Sequence, residues 1–156
     1  MSRFFATYVL LTIAALATSH TIKHVVVLME ENRSFDHLLG FRKGVNGLSG
    51  KEFNYVNPAY PQDGKIYVQS NASNVAPCDP DHSFPATTMK IFGYEAYKHK
   101  NFTNPTMSGF VNFEKYLNRA DTDYCEVMNS VSVEHLPVMN ALADDFLLFD
   151  EFYASM

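Results

Sequence analysis

Three scarcities narrow what this 156-residue chain can be. No cluster of Lys and Arg stands along it: 12 basic residues face 17 acidic ones, for a formal net charge of -5. A nucleic-acid partner calls for a basic surface that counters phosphate, and nothing here supplies one. No apolar run reaches the ~20 residues that span a bilayer as a helix. Only two cysteines occur, Cys78 and Cys125, so one internal disulfide is the most the chain can form. What is plentiful is apolar matter: 47% hydrophobic and 14% aromatic residues suffice for one globular domain and speak against disorder.

The amino terminus reads as a targeting segment. Arg3 gives a positive start, Phe4 to Leu16 is almost wholly apolar, and Ala15-Leu16-Ala17 or Ala17-Thr18-Ser19 offers small residues for cleavage. Residues 1–19 are expected to be a secretory signal, with an uncleaved anchor as the alternative, and residues 20–156 the folded domain. The expected location is therefore secreted, or extracellular. In an oxidising compartment Cys78 and Cys125 are expected to pair, two buried thiols being the other possibility. The sequons at Asn71 and Asn101 lie in polar, loop-like surroundings and could carry glycans in a eukaryotic host.

The chain is organised around Ile22–Gly40, IKHVVVLMEENRSFDHLLG. Val25, Val26, Val27, Leu28 and Met29 form a continuous apolar run of the kind found in a strand covered on both faces, which favours a parallel sheet between helix layers. Glu30, Glu31 and Asn32 would then stand at its carboxyl end, where open α/β sheets place ligands. Carboxylate and amide oxygens, with no Cys or His among them, suit calcium, magnesium or manganese. The same acids also fit a solvated strand end followed by helix-start carboxylates favoured by the dipole. Ser34, Phe35, Asp36, Leu38 and Leu39 predict the first turns of a helix, with Ser34 or Asn32 as cap and Gly40 as stop. Asn32-Arg33-Ser34 is also a sequon, but a glycan on a metal ligand would block the site.

Further along, residues 41–77 are punctuated by Gly, Pro, Asn and Ser and read as an excursion over the sheet, with Lys65–Val68 as an edge strand or hairpin arm. Cys78-Asp79-Pro80-Asp81-His82-Ser83-Phe84 puts two carboxylates and an imidazole in one turn. It precedes a helical pattern of Phe84, Thr88, Ile91 and Phe92 stopped by Gly93. Taken alone, Asp-Pro-Asp is most often a turn with a helix cap. Phe110, Phe113 and Leu117 share a helical face assigned to packing, and Asp121-Thr122-Asp123 reads as a solvated turn. A short helical piece is expected over Ser132–Leu136. Pro137 suits the first position of the next helix, whose stripe would be Met139, Leu142 and Phe146 and whose wet side would be Asp144 and Asp145. Phe146 to Tyr153 reads as a second strand, completing a right-handed strand-helix-strand unit with Val25–Met29.

VVVLMEENRSFDHLLG resembles the opening strand and motif of the secreted phosphoesterases that include phospholipases C and related acid phosphatases, within the alkaline-phosphatase-like superfamily. The D-P-D-H-S-F and M-S-G-F-V stretches resemble the same family. The resemblance implies a mostly parallel α/β/α sandwich, here its amino-terminal part only. It implies a metal-dependent hydrolase of phosphoric esters, with phospholipid or another phosphate ester as substrate and peripheral membrane contact. By this match Glu31 and Asn32 hold the divalent metal, Glu30 has no such role, and His82 contacts the substrate phosphate or stabilises the leaving oxygen. Asp79 and Asp81 would orient His82 or cap the helix. The family's Ser or Thr nucleophile follows the second strand in a Pro-rich loop that this sequence does not contain, and Ser155 does not stand at its position. The alternative function is a secreted, catalytically inert phosphoesterase-like fragment that binds a head group or partner, or has no function.

Overall fold

The computed structural model describes residues 22–31, 33–76, 78–117 and 123–153. The expected signal segment, Asn32, the Asp121-Thr122 part of the acidic turn and Ser155 lie outside these residues. The chain divides into two compact units, residues 1–31 and 32–156.

Within the first unit, residues 22–31 form neither helix nor strand. Val25 to Met29 are exposed, Val26 to 91%. The expected covered strand is therefore not found there. An apolar run becomes a strand only when neighbours take up its N–H and C=O groups and cover its side chains, and among the described residues these find neither.

The second unit is mixed α/β. Helix α1 spans Phe35–Leu39, with the Ser34 hydroxyl accepting from His37 N as the expected cap. Strands β1 (Phe53–Tyr55) and β2 (Lys65–Tyr67) pair antiparallel, Asn54 opposite Ile66. Helix α2 covers Phe84–Phe92 and ends at Gly93, whose φ of +89° is open to glycine at little cost. Helix α3 (Tyr94–Lys98) follows, then α4 (Phe110–Asn112), which widens into a π-turn over Phe113–Leu117. A 3₁₀ turn at Val133–His135 leads into helix α5, Pro137–Asp145, with Pro137 in its first turn as expected.

Side chains from distant segments fix these short elements, since helices of one or two turns do not hold in water alone. Buried Asn54 on β1 accepts from Phe110 N at 2.9 Å and donates to Met107 O at 3.1 Å, doing the capping that Gly109 cannot. Gly109 itself lets α4 touch the end of α2: a Cβ there would stand 2.3 Å from Met89 O. Residues 69–72 run alongside 128–130 through Gln69 N to Met128 O, 3.1 Å, and Ala72 N to Ser130 O, 3.0 Å, with a parallel bridge at Gln69–Asn129. Val131 N then donates to His37 O at 2.7 Å, tying this pair of segments to α1.

Beyond that bridge, the described residues contain no parallel sheet. Residues 146–153 also form no strand, and Phe152 is 86% exposed. Polar bonds hold this stretch instead, from Asn46 N to Asp150 Oδ2 at 2.6 Å and from Asn46 Nδ2 to Glu151 Oε1 at 2.9 Å. The α5 stripe of Met139 and Leu142 is exposed, while Asn140 is buried and accepts from Arg42. On the 110–117 segment the buried positions are Val111, Phe113 and Glu114, and Leu117 is exposed. The wider π-turn rotates the buried face away from a regular helical stripe.

Candidate functional site

The Asp79–His82 turn is built from both ends. At one end Cys78 is joined to Cys125 across 47 residues, as the pairing expectation required. At the other, Ser83 caps α2 by accepting from Ala86 N, and Asp81 Oδ1 accepts from Ser83 N at 2.9 Å. Hydrogen bonds from Ser83, its backbone N–H first and its hydroxyl second, hold the Asp81 carboxyl below its ordinary pKa, helped by the charges of Lys90 and His82. Asp81 therefore makes the turn, and the helix cap is Ser83. His82 is exposed, and its Nδ1 donates to Pro80 O at 3.2 Å, which puts a proton on Nδ1 and leaves Nε2 for other partners.

His82 lines a cleft of about 420 Å³ within the second unit. Arg33, His37 and Lys90 share its wall with Asp79, Asp81 and Glu126. Arg33 reaches Asn74 O at 3.3 Å with one guanidinium nitrogen and His37 Nε2 with another. Burial lowers the His37 pKa most, the Arg33 guanidinium adds to it, and Glu126 and a backbone bond at Asn129 oppose it. His37 is therefore the neutral partner of a fixed cation.

On the facing wall, Tyr124, Cys125 and Glu126 all have positive φ, 48°, 54° and 53°. Each left-handed non-glycine residue costs on the order of 1 kcal/mol. Two grips hold the turn: the disulfide at Cys125, and the Glu126 carboxylate, which accepts from Ser73 N at 2.8 Å and Ser73 Oγ at 2.7 Å. Asp81, Glu126 and Lys90 are already engaged inside the protein, which leaves Arg33, Asp79 and His82 as exposed polar side chains on the wall. Arg33 and His82 suit an anionic ligand of phosphate size.

Sequence reasoning placed His82, Asp79, Asp81 and Cys125 at this site by their turn and pairing. It missed Arg33, His37, Lys90 and Glu126. Arg33 and His37 stand four apart in the motif already singled out, at the spacing that brings side chains together on a helical turn. Nothing local pointed to Lys90 or Glu126.

Glu31 is exposed in the first unit and Asn32 lies outside the described residues. Among the described residues, no three His, Cys, Asp or Glu side chains gather as a metal-binding group. A hard cation takes six or more oxygen ligands, so the described residues do not fit a complete metal site. Asn71 and Asn101 are both exposed, the former donating to Gln69 Oε1 at 3.1 Å and the latter accepting from Thr103 Oγ1 at 2.8 Å.

A family model described as the Phosphoesterase family matches residues 22–156. The chain belongs to the phosphoesterase family. Among its relatives, non-specific phospholipase C1 of Arabidopsis thaliana is 38% identical over 139 residues, which is 86% of this chain and 25% of that protein. Non-specific phospholipase C6 of the same plant is 38% identical over 99% of this chain and 30% of its own length. Hemolytic phospholipase C of Pseudomonas aeruginosa is 29% identical over 89% of this chain and 18% of its own. This chain thus spans about a quarter of the length of the curated relatives it matches. No solved structure matches it. Among its described residues no helix is long and apolar enough to cross a membrane.

Proposed function

We propose that this chain is the amino-terminal part of a secreted, phospholipase C-like hydrolase of phosphoric esters, with residues 1–19 as signal and 20–156 within the catalytic domain. One observation carries the reading. The family match covers residues 22–156, and inside it His82 stands with Arg33, His37 and Lys90 on the wall of one cleft. Arg33 takes up charge on a phosphate ester, and His82, carrying a second proton on Nε2, contacts the phosphate or hands that proton to the leaving oxygen, a role for a positioned imidazole. Glu31 and Asn32 contribute to a divalent-cation site of calcium, magnesium or manganese type, completed by donors outside the described residues. In the whole domain, Val25–Met29 and Phe146–Tyr153 join a mostly parallel α/β/α sandwich, which accounts for their bare apolar side chains here. The disulfide and two exposed sequons, at Asn71 and Asn101, favour an extracellular protein whose substrate is a phospholipid met by peripheral membrane contact.

Hydrolysis of a chromogenic phosphodiester and of a short-chain phosphatidylcholine by the purified chain tests this, with calcium, magnesium or manganese added. Turnover that falls about 100-fold or more in His82→Gln supports the hydrolase, and its loss in Glu31→Ala supports the cation site. Inorganic phosphate bound in the cleft without turnover, both by this chain and by one extended downstream along its coding sequence, identifies an inert, phosphoesterase-like binding fragment. Neither turnover nor phosphate binding by a folded preparation overturns both readings.

A further inference from the structure

Lys90 is out of place by ordinary rules. It sits in the last turn of α2, only 6% exposed, and its ammonium lies 2.6 Å from Oε1 of Glu114, whose side chain is fully buried on the π-turn. Replacing such a pair with well-packed apolar residues is often neutral or stabilising, so stability alone gives weak reason for it. The ammonium makes a second bond that packing does not need: it donates to Asp81 O at 2.6 Å. A charge-assisted bond of this kind is about twice as strong as a neutral one.

Asp81 is therefore gripped twice, its carbonyl by Lys90 and its carboxylate by Ser83 N. The next residue is His82. With the Asp81–His82 peptide held from both sides, the direction of the His82 side chain is set, and Nδ1 falls within reach of Pro80 O at 3.2 Å. Glu114 supplies the anchor at the other end of the ammonium, and Lys90 also lies 5.1 Å from the Phe113 ring centre.

We propose that Lys90, anchored by Glu114, is a positioning residue that fixes the orientation and the ring tautomer of His82 in the cleft. The proposal rests on the reading of the cleft as a phosphate-ester site, and it concerns only how His82 is held there. Removing one charge leaves the other buried without its opposite charge, which endangers the fold, so both are changed together.

The test is nitrogen-15 NMR of the His82 ring, assigned with His82→Gln, at a pH of about 8.5 where an ordinary imidazole is neutral. Wild type, Lys90→Met/Glu114→Leu, Lys90→Gln/Glu114→Gln and Lys90→Arg are compared, each also titrated with inorganic phosphate. The wild type is expected to hold the Nδ1–H tautomer. Both paired variants are expected to show a mixture of tautomers and about fivefold weaker phosphate binding, the loss of one oriented hydrogen bond from the P–OH of monohydrogen phosphate to Nε2, while Lys90→Arg keeps the wild-type tautomer. The neutral glutamine pair, close in shape, decides the matter if the apolar pair folds poorly. A folded paired variant that keeps the Nδ1–H tautomer overturns the proposal, even where His82→Gln abolishes phosphate binding. If His82→Gln leaves phosphate binding unchanged while the paired variants lose the tautomer, the positioning role stands and the phosphate-ester reading of the cleft falls.

Discussion

Two stretches that carry or adjoin the family resemblance fare differently in the structure: Ile22–Glu31, with the apolar run that opens VVVLMEENRSFDHLLG, and Cys78–Phe92, with D-P-D-H-S-F and the helix it starts. The second is a disulfide-tied, capped turn running into a helix that begins and ends at the residues the sequence marked. The first, although its apolar run is the longer, carries no strand and leaves its valines exposed. The difference lies in where each finds its hydrogen-bond partners. A capped helix satisfies its backbone within a few residues. A strand depends wholly on neighbours that come from elsewhere in the chain.

The largest effect that tests this contrast is removal of the covalent tie. Cys78→Ser/Cys125→Ser is expected to lower unfolding stability by about 2–4 kcal/mol, read from urea denaturation followed by circular dichroism. A variant as stable as the wild type would show that the second stretch, too, depends on something other than its local ties. A smaller effect comes from pH. Burial and the Arg33 charge lower the folded-state pKa of His37 below the unfolded value of 6.5. The unfolded chain then binds more protons as pH drops past that value. The His37 contribution is complete above about pH 6.5 and is lost as pH falls through the folded-state value. The urea midpoint should decline on acidification, and His37→Gln should flatten that slope. An unchanged slope would remove His37 from the neutral, partly buried role given to it here. The smallest effect is expected at the exposed run: Val27→Asp should change stability by no more than about 0.5 kcal/mol. A loss of several kcal/mol would mean the run is covered after all, and the contrast between the two stretches would fail.

What could be read in the sequence follows the same division. Ser34 and Ser83 as caps, Gly93 as stop, Pro137 in the first helical turn and the Lys65–Tyr67 hairpin arm are all local signals, and all appear. Features made by distant residues were not legible. Asn54 capping α4 from β1, Glu126 holding Ser73, and Lys90 meeting Glu114 each join residues 24 or more positions apart, and no period or composition links such partners. The stripe expected over Phe110, Phe113 and Leu117 failed for another reason. It assumed 3.6 residues per turn, and the π-turn changes the period that the pattern is counted against. For the candidate site, motif reading named His82, which lines the cleft, but not the arginine, histidine and lysine that share its wall.

The left-handed turn at Tyr124–Glu126 carries one more consequence, which concerns where the protein is made. Its conformational cost is borne by a sulfur–sulfur bond and by one carboxylate, which accepts from Ser73. A chain produced in a reducing cytosol keeps every residue of the cleft yet loses the tether that closes its wall. For this protein the cellular address is part of the folding instruction, and an oxidising expression host is the one in which the cleft can be studied.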